Sequence, residues 1–158
     1  MRTATLESPS TQVAAKGTAV EQTDRGPVIL VIDDDPDVRE VFQRQLEALG
    51  ARVVVAADGF EGLDQLERSN PDAVLCDLAM PGMDGIEFGI RMRADMRFCR
   101  VRLIAVTGRC NKAALLGSWG AGFDGHIDKP VTAEMLASIV TRFTGRVLGN
   151  NRPPSVPG

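Results

Sequence analysis

The sequence predicts an α/β protein: a doubly wound, five-stranded parallel sheet covered by five helices in one domain. Five short apolar runs, rich in β-branched residues, recur along the chain. Between them lie stretches whose apolar residues return at helical spacing. Polar residues able to do chemistry stand where the apolar runs end, which in a parallel sheet is the ligand-binding edge.

Val28 to Ile32 is a continuous apolar run, too short for a helix, and reads as a strand buried on both faces. Asp35-Pro36 starts a helix, a carboxylate cap followed by proline at the first helical position. Val38, Val41, Phe42, Leu46 and Leu49 follow at helical spacing, and Gly50 ends it. Arg52 to Ala56 is the second strand; Phe60, Leu63 and Leu66 mark a helix that Asn70-Pro71 breaks. Ala73 to Cys76 is the third strand, and residues 84 to 94 a helix weakened by Gly85 and Gly89. Val101 to Val106 is the fourth strand, residues 110 to 118 a short helix, and Gly125 to Ile127 the fifth strand. Met135, Leu136, Ile139, Val140 and Phe143 lie on the last helix, with Gly145 after it.

The 158 residues, 44% apolar and 25% charged, suit one globular domain and exclude a wholly disordered or collagen-like chain. No run approaches 18 apolar residues, and the N-terminus has no apolar signal core, so the expected compartment is the cytoplasm. A net charge of −3 argues against a nucleic-acid binder held by bulk charge. Three cysteines without a C-x-x-C spacing form neither a disulfide framework nor a zinc site. Residues 1–26 and 147–158 read as flexible tails around a folded 27–146.

At the carboxyl edge of the predicted sheet stand Asp33, Asp34 and Asp35 after the first strand, Asp77 after the third, Thr107 after the fourth and Lys129 after the fifth. Carboxylates so close repel, and a hard cation offsets that. Oxygen ligands at this density suit Mg2+, with Mn2+ as its substitute. Lys129 brings a point charge and Thr107 a donor for a phosphoryl oxygen. Together these groups describe phosphoryl transfer to a carboxylate.

The stretches VILVIDDDPDVRE, CDLAMPGMDG, IAVTG and GHIDKP, in that order, resemble the receiver domain of two-component response regulators, CheY-like and flavodoxin-like in fold. The key residues Asp33, Asp77, Thr107 and Lys129 are 44, 30 and 22 residues apart, and the resemblance spans about 28 to 145. It implies that Asp77 is the phosphoacceptor. Asp34 is then a direct metal ligand, Asp33 acts mainly through water of the ion, and Ala79 contributes its backbone carbonyl. Thr107 is the switch hydroxyl, Lys129 pairs with the phosphoryl oxygen, and the Lys129-Pro130 bond is cis. His126 stands at the aromatic switch position, where Tyr or Phe is commoner. The implied donor is a histidine kinase or histidine phosphotransfer protein. The implied output is a downstream partner bound through the face of the fourth helix, fifth strand and fifth helix, as monomer or phosphorylation-dependent dimer. The chain itself is then not an enzyme, beyond catalysing its own phosphorylation and dephosphorylation. Twelve residues after 146 are too few for a DNA-binding module, so output by partner binding or by relay is expected.

Each residue also has a plainer reading. Cys76 reads as core; the arginines at 91, 93, 97, 100 and 102 read as a solvated face; Trp119 reads as packed at the end of its helix; His126 is a switch or a satisfied core residue. Ala79 and Arg109 stand where the resemblance places control over attack by water. Alanine can neither hold nor polarise a water, so slow self-dephosphorylation is expected. Two other classes stay open. A phosphatase of the haloacid dehalogenase type would use Asp33 as nucleophile with Asp35, Thr107 and Lys129. It leaves Asp77 unexplained and finds only Glu134 where it wants an acidic cluster. A receiver that binds partners without phosphate would lack a site residue, and none is missing.

Overall fold

The structure, a computed structural model, describes residues 26–108 and 112–145. The strands are β1 (Val28–Ile32), β2 (Arg52–Ala56), β3 (Ala73–Asp77), β4 (Arg102–Thr107) and β5 (Gly125–Asp128). The helices are α1 (Pro36–Ala48), α2 (Gly59–Ser69), α3 (Gly85–Arg93), α4 (Lys112–Gly120) and α5 (Ala133–Thr144), with a 3-10 turn at Met96–Phe98. All four strand pairings are parallel, in the order β2-β1-β3-β4-β5. The predicted doubly wound sheet is therefore present, with strand order reversing between β1 and β3. The expected tails, Arg109 and Cys110 lie outside the described residues, apart from Gly26, which abuts Gly50 at positive φ.

Strand alternation divides the core into two layers. Ile29, Val31, Ala73, Leu75, Ile104, Val106 and Ile127 face α1 and α5, where Phe42, Leu46, Leu136 and Val140 complete one layer. Leu30, Ile32, Val74, Cys76, Leu103 and Ala105 face the other way, onto Leu66, Phe88, Met92 and Phe123. Cys76 is fully buried, as expected, and burial together with the nearby carboxylates of Asp77, Asp33 and Asp84 pushes its thiol well up.

Helix starts follow their chemistry. Asp35, Asp58, Asp84 and Thr132 each accept from a backbone N–H of the first turn. Asn70 caps α2 in the left-handed conformation and Pro71 follows, as the sequence predicts. Gly85 and Gly89, read as weaknesses of α3, are where it packs closest. A Cβ at 85 would strike the Asp77 carbonyl oxygen and lie 2.8 Å from Leu78 Cα, and one at 89 would lie 2.7 Å from the Phe123 ring.

Two expectations are corrected. Trp119 is 49% exposed and its neighbour Leu116 71%, so α4 does not bury them. Of the arginines read as a solvated face, Arg91, Arg97, Arg100 and Arg102 are exposed as expected, and Arg93 is not. Arg93 donates to the carbonyls of Gly122 (3.0 Å) and Phe98 (2.9 Å) and to Asp124 Oδ2 (2.8 Å), which also accepts from Leu103 N (2.9 Å). Arg97 pairs with Asp95 and Glu67, and Arg91 with Glu87. A second fastener at the same amino edge of the sheet is Asp72, whose Oδ2 accepts from Val28 N (2.8 Å).

Candidate functional site

The opposite, carboxyl edge gathers the predicted residues. Asp33 follows β1 and still donates its N–H to Ala56 O (3.2 Å). Its side chain is 3% exposed: Oδ1 accepts from Asp35 N (2.9 Å) and Oδ2 from Lys129 Nζ (2.9 Å). Asp77 closes β3, with Oδ1 accepting from Ala79 N (3.1 Å) and Oδ2 from Lys129 Nζ (3.4 Å). Lys129 thus spans two carboxylates delivered by neighbouring strands. The Lys129-Pro130 peptide is cis, and Lys129 N donates to Thr107 O (2.8 Å), which ties the lysine to the end of β4. Asp34 is exposed, while Asp33, Asp77 and Thr107 are buried.

One oxygen from each of Asp33, Asp34 and Asp77 lies within 4.8 Å of the other two. Three hard oxygens gathered so closely are the donor type that Mg2+ takes, with water of the ion completing its shell. Beside them opens a cleft of about 590 Å3, lined by Asp77, Leu78, Ala79, Asp84, Ile86, Thr107, Gly108, Ala114 and Lys129. The site lies where strand order reverses, between β1 and β3, with the first turns of α1 and α3 framing it.

The electrostatics are those of a crowded acidic edge. Burial raises the Asp77 carboxyl above its ordinary value; the Ala79 N–H and Lys129 pull it back, and the Asp33 charge adds to the rise. Burial alone would lower the Lys129 ammonium, but the Asp33 hydrogen bond and the charges of both carboxylates outweigh it and hold the ammonium above its ordinary value. The lysine therefore stays charged.

Asp35 is not among the converging oxygens. Its Oδ1 accepts from Asp37 N (2.9 Å), so it serves α1 as a cap. His126 lies on β5, its side chain 13% exposed, with Nδ1 3.7 Å from Asp128 Oδ1. It also lines a groove with Met135, Ser138, Ile139 and Arg142 of α5.

Two neighbours had no role in the sequence reading. Asp84, cap of α3, lines the cleft; its signal was the Asp-Gly pair before a helical stretch. Arg39 reaches back from α1 to donate from Nη1 to Asp33 O (2.7 Å); an arginine near a helix start carries no such signal by itself.

Comparison with known proteins gives one result. The response regulator receiver domain family matches residues 29–141. Sensor histidine kinase CheAY of Helicobacter pylori is 36% identical over 117 residues, 73% of this chain. The match spans 15% of that kinase, so the chain is far shorter than such relatives. Among solved structures, the chemotaxis protein CheY4 of Vibrio cholerae has a TM-score of 0.72 at 25% identity, covering 75% of this chain and 98% of that one. The receiver domain of sensor histidine kinase PA1611 of Pseudomonas aeruginosa PAO1, solved with magnesium coordinated in its active-site cleft, has a TM-score of 0.71 at 32% identity, covering 76% and 98%. The four motifs in order, the strand order, the acidic edge with its lysine and these matches share one explanation: the chain belongs to the response regulator receiver domains.

Proposed function

We propose that this chain accepts a phosphoryl group on Asp77 from a histidine kinase or histidine phosphotransfer protein and converts the new charge into a change of surface. One observation carries the reading: Lys129 Nζ stands between Asp33 Oδ2 and Asp77 Oδ2 at the mouth of the cleft. A charged lysine there neutralises the acceptor now and can follow the phosphoryl oxygens afterwards.

Asp77 attacks phosphorus in line through its carboxylate oxygen. The new O–P bond forms as the P–N bond to the donor's imidazole breaks, and the imidazole nitrogen keeps the bonding pair. Lys129 then exchanges the Asp77 carboxylate for a phosphoryl oxygen while keeping Asp33. Thr107, which ends β4 beside β3, offers its hydroxyl to a second phosphoryl oxygen. Asp34 directly, Asp33 mainly through water of the ion, Asp77 and the Ala79 carbonyl would hold Mg2+, or Mn2+ in its place. The ion, when bound, supplies positive charge against the phosphoryl oxygens. The structure of the PA1611 receiver with its magnesium supports that assignment by likeness.

Movement of Thr107 is passed to β5 and α5, where His126 lines its groove, and the face of α4, β5 and α5 is the proposed output surface. Chemistry on the chain itself is limited to gain and loss of its own phosphoryl group. A donor charged from ATP places the exchange in the cytoplasm. No helix among the described residues is long and apolar enough to cross a membrane. The phosphatase alternative needs Asp35 free for acid-base work, whereas Asp35 is bound as a helix cap.

Intact-mass analysis after incubation with acetyl phosphate and Mg2+ tests this. One added phosphoryl group is expected, absent in Asp77→Asn. An adduct that survives Asp77→Asn but disappears in Asp33→Asn would overturn the reading in favour of the phosphatase.

A further inference from the structure

Arg39 is in an unfavourable place for a cation. It lies in the opening turns of α1, where the helix dipole favours negative charge. Its Nη1 nevertheless donates to Asp33 O at 2.7 Å, a short charge-assisted bond, and its side chain is half-buried. The turn from Asp33 to Asp35 is fastened at Asp33 by one main-chain bond, Asp33 N to Ala56 O (3.2 Å), and by three bonds to Asp33 oxygens. Asp33 Oδ1 accepts from Asp35 N, Asp33 Oδ2 accepts from Lys129 Nζ, and Asp33 O accepts from Arg39. The first two occupy carboxylate oxygens, the atoms that a cation or its water shell would engage. Of the three bonds to Asp33 oxygens, the Arg39 bond alone uses neither carboxylate oxygen. It can therefore hold the turn in the same shape whether or not the carboxylates are engaged elsewhere.

We infer that Arg39 is a positioning residue for the cation site: anchored on the Asp33 carbonyl, it holds the turn so that the Asp33 and Asp34 carboxylates face Asp77. This rests on the receiver reading of the site. The inference makes a prediction opposite in sign to simple electrostatics. Removing a cation from an acidic cluster should tighten binding of Mg2+ if charge is all that Arg39 supplies. Removing a support should weaken it, as loss of partners outside the direct ligands commonly does.

The test is calorimetric titration of the full chain with Mg2+ alone, no phosphodonor present, on the unsubstituted protein, Arg39→Met and Arg39→Lys. Thermal unfolding in EDTA checks that each is folded. Weakening by about tenfold is expected in Arg39→Met. Arg39→Lys, which keeps charge and one donor but not the planar fork, should fall between the two. If Arg39→Met does not fold, Arg39→Lys decides: weaker binding than the unsubstituted chain supports positioning. Equal or tighter binding in every folded variant overturns the inference and leaves the site reading intact. Absence of Mg2+ binding by the unsubstituted chain would overturn the site reading, and the inference with it.

Discussion

Gly85 sets how closely α3 can approach the strand that carries Asp77. The atoms that a Cβ would meet are the Asp77 carbonyl oxygen and Leu78 Cα, both backbone, so nothing can rotate aside. Gly85→Ala should cost about 2–3 kcal/mol in a denaturant titration, the upper range of overpacking. A loss below about 0.5 kcal/mol would mean that the helix shifts freely. Two residues past Asp77, the proposed acceptor, Ala79 presents a methyl at the cleft, a group that can neither donate nor accept a hydrogen bond. Ala79→Asn should shorten the lifetime of the phosphoryl group in Mg2+, followed by intact mass after removal of acetyl phosphate; an equal or longer lifetime would refute the role given to the methyl. At this scale, chemistry was more legible than packing. Asp33, Asp34, Asp77 and Lys129 announced themselves because ionisable groups next to buried strands need a reason. Trp119, 49% exposed, was misread as packed, because helical position says nothing of whether a neighbour is there to cover that side.

Elements are held by devices of different visibility. Caps at Asp35, Asp58 and Thr132 can be read from the chain, since each needs only the next three residues. α4 was less legible: Lys112–Gly120 has little amphipathic pattern and runs two residues past the expected end at 118. The fastening around Arg93 was equally hidden, because it joins the end of α3 to the 3-10 turn and to the loop before β5, partners 5 to 31 residues away. Arg93→Ala removes that guanidinium, whose side chain is only 21% exposed, and leaves Asp124 bound mainly through Leu103 N. A stability loss of about 2 kcal/mol is expected from urea unfolding, in line with several charge-assisted bonds partly open to solvent. The extent of phosphorylation by acetyl phosphate should not change. A large fall in phosphorylation at unchanged stability would contradict the separation of this fastener from the site.

The molecule as a whole assembles its acidic edge only when distant parts of the chain meet. Asp33 and Asp77 lie 96 and 52 residues before the lysine that bridges them. The unfolded chain does not bring these three carboxylates together, so an ion held by the proposed site would bind the folded state and stabilise it. Unfolding free energy should rise with Mg2+ by about 1.4 kcal/mol for each tenfold concentration above the dissociation constant, read as a rising thermal midpoint. A midpoint indifferent to Mg2+, or an equal rise in Asp34→Asn, would place the ion elsewhere. Parallel pairing and two covered faces were legible from alternating apolar runs and helical stretches. Strand order was not, because every parallel order has the same pattern of runs, and only the resemblance to receivers supplied it.

The sheet's two edges divide the work. Asp33, Asp77, Thr107 and Lys129 stand at the carboxyl ends of strands, whereas the Arg93–Asp124 and Asp72–Val28 fasteners stand at the amino ends. Neither set shares a residue with the other. Substitution of the amino-end fasteners therefore bears on stability alone, whereas substitution at the carboxyl ends meets the acidic cleft together with the caps and the close approach of α3 that hold it. A library built from the carboxyl-end loops with Gly85 and the caps Asp35 and Asp84 kept would vary the acidic edge while leaving the amino-end fasteners intact.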